Sequence, residues 1–96
     1  MTGIIARNIS IFRKHTSMRL TNSEWEAINA ICKREHIHRK TLFELIDMNH
    51  DKRISLTGAI RLFTIIYYKN LYTGLPLAAT NDDFNNHVFE AIKEIT

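Results

Sequence analysis

Three side chains able to hydrogen-bond to another molecule alternate along one short stretch of the chain. His15, Ser17 and Arg19 occupy every second position. Between them lie the side chains expected to face a core: Thr16, Met18 and Leu20. Because successive side chains of a strand point to opposite faces, this spacing predicts a β-strand with one polar, positively charged face. Arginine can fork onto guanine O6 and N7, and serine and histidine can bond to other base edges.

A solvated edge strand in a protein of another function would show the same alternation, so the pattern alone leaves both interpretations open. A lone strand also needs a partner for its main-chain groups. Residues 1–13 contain isoleucines without a sustained period, and we expect them to form an arm that could extend the strand. The expected partner is therefore the same strand of a second copy, in an intersubunit two-stranded antiparallel ribbon.

The remaining sequence predicts helices, so the expected fold class is mainly α. Thr21 and Glu24 have the spacing of a capping box before a first helix, and a second helix is expected over residues 39–48. Ser55 can cap a third helix, residues 56–70, which is apolar around most of its circumference and is expected to be buried at a subunit interface.

The expected organisation is one small domain with extensions at both ends. The proposed divisions are an N-terminal arm (1–13), a main domain (14–70), a linker (71–80) and a C-terminal amphipathic helix (81–96). The linker contains Gly74 and Pro76. The C-terminal helix is expected either to fold back onto the domain or to bind a protein partner, and folding back is favoured because exposed aromatic side chains are costly.

Charge is unevenly placed along the 96 residues. Residues 1–40 contain eight Lys or Arg and three Glu, whereas the remainder contains five Lys or Arg and seven Asp or Glu, which gives +5 and −2. A basic N-terminal part suits a polyanionic partner. The single cysteine, Cys32, excludes an internal disulfide, and no apolar run is long enough for a membrane span. We expect a soluble cytoplasmic protein that does not bind membranes.

A calcium loop is a competing interpretation of the segment after the second helix. Asp47, Asn49 and Asp51 fall at the first three ligand positions of such a loop. Lys52 occupies the position that needs glycine, and Gly58 occupies the position of the bidentate glutamate. A degenerate calcium-binding loop is therefore a minor alternative to an ordinary interhelical loop.

Cys32 and His36, four residues apart, could form a soft-metal pair, but Cys32 belongs to an apolar helical stripe. The expectation is no metal and no cofactor. No group of residues has the type and spacing that an active site would need, so an enzyme is not expected.

The order and spacing of several motifs resemble a known family. The matching motifs are Lys14-His15-Thr16-Ser17-Met18-Arg19-Leu20, Trp25 in the first helix, Ile46-Asp47, Arg53 and the run from Ser55 to Phe63. This pattern is similar to the ribbon-helix-helix DNA-binding domain of small bacterial proteins, in the MetJ/Arc-like superfamily. His36 stands where that family usually has glycine between the first two helices, so either a left-handed cap or a different turn is expected there.

The resemblance implies a homodimeric transcriptional regulator that acts as a repressor and whose ribbon enters the major groove of double-stranded DNA. Carried over to this chain, the base-contacting residues are His15, Ser17 and Arg19. The implied phosphate contacts are Arg13, Lys14, Arg39, Lys40 and Thr41, and Arg13 is expected to contact either bases or phosphate. The alternative function is a protein-interaction module or antitoxin-like component that uses the C-terminal helix.

Overall fold

Two strands and four helices make up the part of the chain that the structure describes. The structure is a computed structural model, and it describes residues 3–73 and 86–96. In chain order the elements are β1 (Ile4–Ile11), β2 (Lys14–Thr21), α1 (Asn22–Glu35), α2 (Arg39–Asn49), α3 (Leu56–Tyr72) and α4 (Asn86–Ile95). The fold is mainly helical and contains a two-stranded antiparallel ribbon. None of the helices in the described ranges is long and apolar enough to cross a membrane.

The partner of β2 lies within the same chain. β1 and β2 pair antiparallel, in a register that joins Ile4 to Thr21 and Ile11 to Lys14. We expected residues 4–11 to belong to an arm, but they form β1, the strand that pairs with β2 in the ribbon. The prediction of an intersubunit ribbon was wrong, because β1 supplies the main-chain hydrogen-bonding partner that β2 needs.

A two-residue turn connects the strands. Phe12 and Arg13 both have positive φ values, 48° and 68°, as the central residues of a type I′ turn do. Such turns usually contain Asn-Gly, so Phe-Arg gave no turn signal in the sequence. Left-handed backbone costs a non-glycine residue about 1–2 kcal/mol. The Phe12 N–H donates to a Glu44 carboxylate oxygen at 2.9 Å, and this charge-assisted bond offsets part of that strain.

One face of the ribbon packs against the helices. Met18 and Leu20 of β2 are buried, as the alternation predicted, and Ile9 and Ile11 of β1 are buried beside them. Thr16, predicted on the same face, is exposed. The buried face therefore draws apolar side chains from both strands.

The ends of α1 have the predicted local geometry. Thr21 and Glu24 form the capping box, with the Glu24 N–H donating to the Thr21 hydroxyl at 3.1 Å. Burial raises the pKa of the Glu24 carboxyl, but hydrogen bonds from Thr21 and from Arg61 of α3 outweigh burial and leave the pKa below its ordinary value. His36 ends the helix with φ 54°, and its N–H donates to the Cys32 carbonyl, so the left-handed cap is the geometry present.

One side of α3 is buried inside the chain. The helix begins after Ser55, whose hydroxyl accepts from the Gly58 N–H at 3.0 Å. Its buried side chains are Ala59, Ile60, Phe63 and Tyr67. They are covered by the other helices, so a subunit interface is not required to explain them. Exposed apolar side chains remain on a second side of α3: Leu62, Ile65 and Tyr68.

The C-terminal helix folds back onto α2 and α3. Its apolar side chains Val88, Ala91, Ile92 and Ile95 are buried, whereas Phe89 of the same helix is about half exposed. The Asp51 N–H donates to the Ile95 carbonyl at 2.7 Å, which fixes the end of α4 to the loop after α2. Residues 74–80 of the predicted linker and residues 81–85 of the predicted C-terminal helix lie outside the described residues.

One buried tryptophan connects the ribbon to two helices. Trp25 of α1 donates from its indole Nε1 to the Ile5 carbonyl of β1 at 2.8 Å, and its ring lies 6.4 Å from that of Phe43 of α2. The guanidinium groups of Arg7 and Arg39 lie 5.5 and 5.4 Å from the indole ring centre, within the range of cation–π attraction. Trp25 thus fixes the position of the ribbon relative to the start of α2.

Replacing Arg13 by glycine is expected to stabilise the protein. Glycine adopts positive φ without the steric cost, and its greater freedom in the unfolded chain offsets part of the gain, which leaves about 1 kcal/mol. Urea unfolding followed by far-UV circular dichroism measures the change. The control is Lys14→Gly, one residue later in β2, which is expected to destabilise. Lower stability of Arg13→Gly would contradict the strained-turn interpretation.

Trp25→Phe is expected to lower the free energy of unfolding by about 2–4 kcal/mol, because it leaves a cavity and removes the donor to Ile5. Trp25 is the only tryptophan, so circular dichroism rather than fluorescence should follow the urea transition. Tyr72→Phe, at a side chain that is 93% exposed, is the control and should change stability by less than about 0.5 kcal/mol. If Trp25→Phe were as stable as the wild type, the indole would not be what holds the ribbon on the helices.

Candidate nucleic-acid interface

The three predicted base-contacting residues lie together on the outward face of the ribbon. His15, Ser17 and Arg19 are exposed, on the side of β2 opposite the buried Met18 and Leu20. Their side chains follow one another at about 6–7 Å, twice the rise per residue of a strand. The structure therefore brings a ring nitrogen, a hydroxyl and a guanidinium group into one accessible row.

A second row of side chains comes from β1 and was missed by sequence reasoning. The register places Ala6 opposite Arg19, Asn8 opposite Ser17 and Ser10 opposite His15. Ala6 and Asn8 are exposed and Ser10 is half-buried. The adjacent isoleucines at positions 4 and 5 break the alternation of β1, although the run from Asn8 to Ile11 alternates and could have revealed the strand.

The size of this face suits a DNA groove. Directly opposed side chains in an antiparallel pair have Cβ atoms about 4.5–5.5 Å apart. The major groove of B-DNA is about 12 Å wide and admits a two-stranded ribbon. One chain therefore carries both strands of a ribbon of the kind that this groove admits.

The start of α2 provides a separate cationic surface beside β1. Arg39, Lys40 and Thr41 are its first three residues, and the N-cap residue His38 makes no side-chain capping bond. A cavity of about 400 Å³ opens there between β1, α1 and α2. Its lining includes Asn8, Ser10, Asn29, His38, Arg39 and Lys40. The unpaired N–H groups and the dipole of a helix N-terminus favour an anion, and the two cationic side chains add to that preference.

The hairpin turn forms a second cationic region. Arg13 lies in the turn and Lys14 is the first residue of β2, and both are exposed. Arg19 lies near the other end of β2, about 20 Å from Arg13 at the usual strand rise. The ribbon thus carries positive charge at both ends of its polar face.

The segment that begins at Asp47, for which calcium binding was the minor alternative, contains two cationic side chains bonded to its own oxygen atoms. Arg53 makes an ion pair with the Asp51 carboxylate at 2.7 Å, and this hydrogen bonding keeps the pKa of Asp51 below its ordinary value. The Lys52 ammonium donates to the Asp47 carbonyl. Within residues 3–73 and 86–96, no group of three or more His, Cys, Asp or Glu side chains could hold a metal ion.

Cys32 is half-buried among the apolar side chains of α1, and burial raises the pKa of its thiol. A raised pKa disfavours the thiolate that binds soft metals and acts as a nucleophile. The side chain therefore has the environment of a packing residue.

Comparison with known proteins gives one family and no individual relative. A family model described as a ribbon-helix-helix domain matches residues 4–68, which is more than half of the chain and includes both strands and the first three helices almost completely. No curated protein and no solved structure matches the chain. The match begins at β1, so the intrachain ribbon and the helices that position it lie within the family domain. The chain belongs to the ribbon-helix-helix domain family, whose members bind DNA.

Proposed function

We propose that this protein is a transcriptional regulator that inserts its β1–β2 ribbon into the major groove of double-stranded DNA and represses the gene it binds. The observation that carries the proposal is the exposed polar face of the ribbon, with Arg19, Ser17 and His15 in one row. A ribbon held on a helical body by its apolar face leaves that row free to meet base edges. Repression follows if the bound protein occupies a site that transcription requires.

The three side chains have different roles in this proposal. Arg19 donates two hydrogen bonds to guanine O6 and N7, the most discriminating contact available to the row. Ser17 donates to or accepts from the neighbouring base. His15 contacts a base or a phosphate near the turn. The small Ala6 opposite Arg19 leaves space for the guanidinium group to extend.

Phosphate contacts come from the two cationic regions beside the ribbon. Arg13 and Lys14 approach the DNA backbone at the turn, and Arg39, Lys40 and Thr41 approach it at the start of α2. The exposed Lys40 side chain and the open N–H groups of α2 support this role. Such contacts orient the ribbon and make affinity depend on salt, without selecting a sequence.

The proposal includes a homodimer that binds two half-sites. Leu62, Ile65 and Tyr68 of α3 are 39%, 65% and 37% exposed, and they follow one another at helical spacing. A second copy that covers this stripe would remove apolar surface from water. Two-fold symmetry would then place one ribbon on each half of a palindromic site.

Arg19→Ala is expected to weaken binding to the preferred DNA site by about 1–3 kcal/mol, because a bidentate base contact is lost. Selection from random duplexes with the wild type should first enrich a two-fold-symmetric motif, and titration at fixed salt then compares both proteins on it. Lys33→Ala, at an exposed cationic residue of α1, is the control and should bind the site as the wild type does.

Two results would contradict the proposal. One is enrichment of no motif by the wild type, with only salt-sensitive binding that ignores sequence, which is the behaviour of electrostatic attraction alone. The other is wild-type affinity of Arg19→Ala for the enriched site. The stability of each variant is checked by urea unfolding so that a folding defect is not mistaken for a lost contact.

Ile65→Asp is expected to convert the dimer to monomer at micromolar protein concentration, because burying an unpaired carboxylate at an interface is costly. Light scattering coupled to size-exclusion chromatography gives the mass of each form. Met48→Asp, at an apolar residue of α2 that is 63% exposed, is the matched control and should remain dimeric. A monomeric wild type would contradict the dimer, and a dimeric Ile65→Asp would place the interface elsewhere.

A further inference from the structure

We propose that Asn8 of β1 reads a base, preferably adenine, beside the bases contacted by β2. The inference rests on the proposed function and adds a specificity-determining residue from the other strand of the ribbon. Asn8 forms the middle pair of the outward face, opposite Ser17. Its neighbours on that face of β1 are Ala6 and Ser10, whose side chains are too short to cover it.

The Asn8 side chain is available for a partner outside the chain. It is exposed, and the residues next to it in sequence, Arg7 and Ile9, are directed to the other face by strand alternation. That face is where Ile9 is buried and where Arg7 lies on the Trp25 ring. Within residues 3–73 and 86–96 the Asn8 carboxamide makes no hydrogen bond to another residue.

Strand stability does not account for asparagine at this position. Asparagine is depleted in strands, where β-branched and aromatic residues are favoured. A threonine at the same exposed position would stabilise the ribbon better and remain soluble. The carboxamide offers one acceptor and two donor hydrogens, and this set matches adenine N6 and N7 in the major groove.

The register also predicts where the base lies. Same-face positions along a strand are about 6.8 Å apart, and base pairs are stacked about 3.4 Å apart. On the outward face of the ribbon, the Asn8–Ser17 pair is the next pair along from the Ala6–Arg19 pair. The adenine read by Asn8 is therefore expected about two base pairs from the guanine read by Arg19, in each half-site.

The test compares the full chain with Asn8→Ala by selection from random duplexes, with Arg19→Ala in parallel. Asn22→Ala is the control, because Asn22 is also exposed but lies in the first turn of α1, where its carboxamide bonds only to the Glu26 side chain. Asn8→Ala should lose the adenine preference at one position of each half-site and retain the guanine preference. Its affinity for the wild-type motif should fall about 5- to 150-fold at fixed salt, the range of a bidentate base contact.

The remaining outcomes overturn the inference. If Asn8→Ala kept the wild-type motif and affinity, Asn8 would not read a base. The proposed function would still stand in that case, provided that Arg19→Ala changed the motif. If Asn8→Ala bound all DNA sequences more weakly by the same factor, Asn8 would contact phosphate rather than a base. If the wild type enriches no motif, the proposed function fails and this inference fails with it. A urea midpoint equal to that of Asn22→Ala establishes that Asn8→Ala is folded.

Discussion

The Trp25 indole joins three separate parts of the chain at one point. Its N–H donates to the Ile5 carbonyl of β1, its ring packs on Phe43 of α2, and its own backbone belongs to α1. A buried indole that lost this acceptor would leave a polar group unsatisfied. The position of the ribbon is therefore determined by a specific directional bond in addition to non-directional apolar contacts.

That constraint decides which side chains can face a ligand. A slip of one residue in the register would turn every side chain of a strand to the other face. Burial of Ile9, Ile11 and Met18 opposes such a slip, and the two-residue turn leaves no spare residue to absorb it. The exposed row of β2 is thus a consequence of what the opposite faces of both strands bury.

The sequence was informative where one local signal had one structural meaning. Thr21 and Glu24 fixed the start of α1, and the alternation from His15 to Leu20 fixed the faces of β2. The family resemblance added the order of the helices. These signals were enough to predict a mainly helical fold with a two-stranded ribbon and to place the side chains of β2, but they did not reveal that both strands belong to one chain.

The part that could not be predicted depends on contacts between distant residues. Phe12 and Arg13 adopt positive φ although neither residue type favours it, and the carboxylate that supports their turn comes from Glu44, 32 positions later in the chain. Because the sequence did not reveal that turn, β2 had no visible partner within the chain and appeared to need a second chain. The missed turn also concealed Asn8, because a residue in an arm has no defined face.

Arg39 couples the two halves of the proposed interface. It is half-buried on the Trp25 ring and is also the first residue of α2, at the opening of the cavity beside β1. An arginine held by an aromatic ring loses less conformational freedom when it meets a phosphate than a freely moving side chain does. Because the same ring holds β1, movement of the ribbon would also displace Arg39. The exposed row of β2 and the start of α2, the two surfaces that we propose for base and phosphate contacts, are therefore positioned relative to each other by the Trp25 side chain.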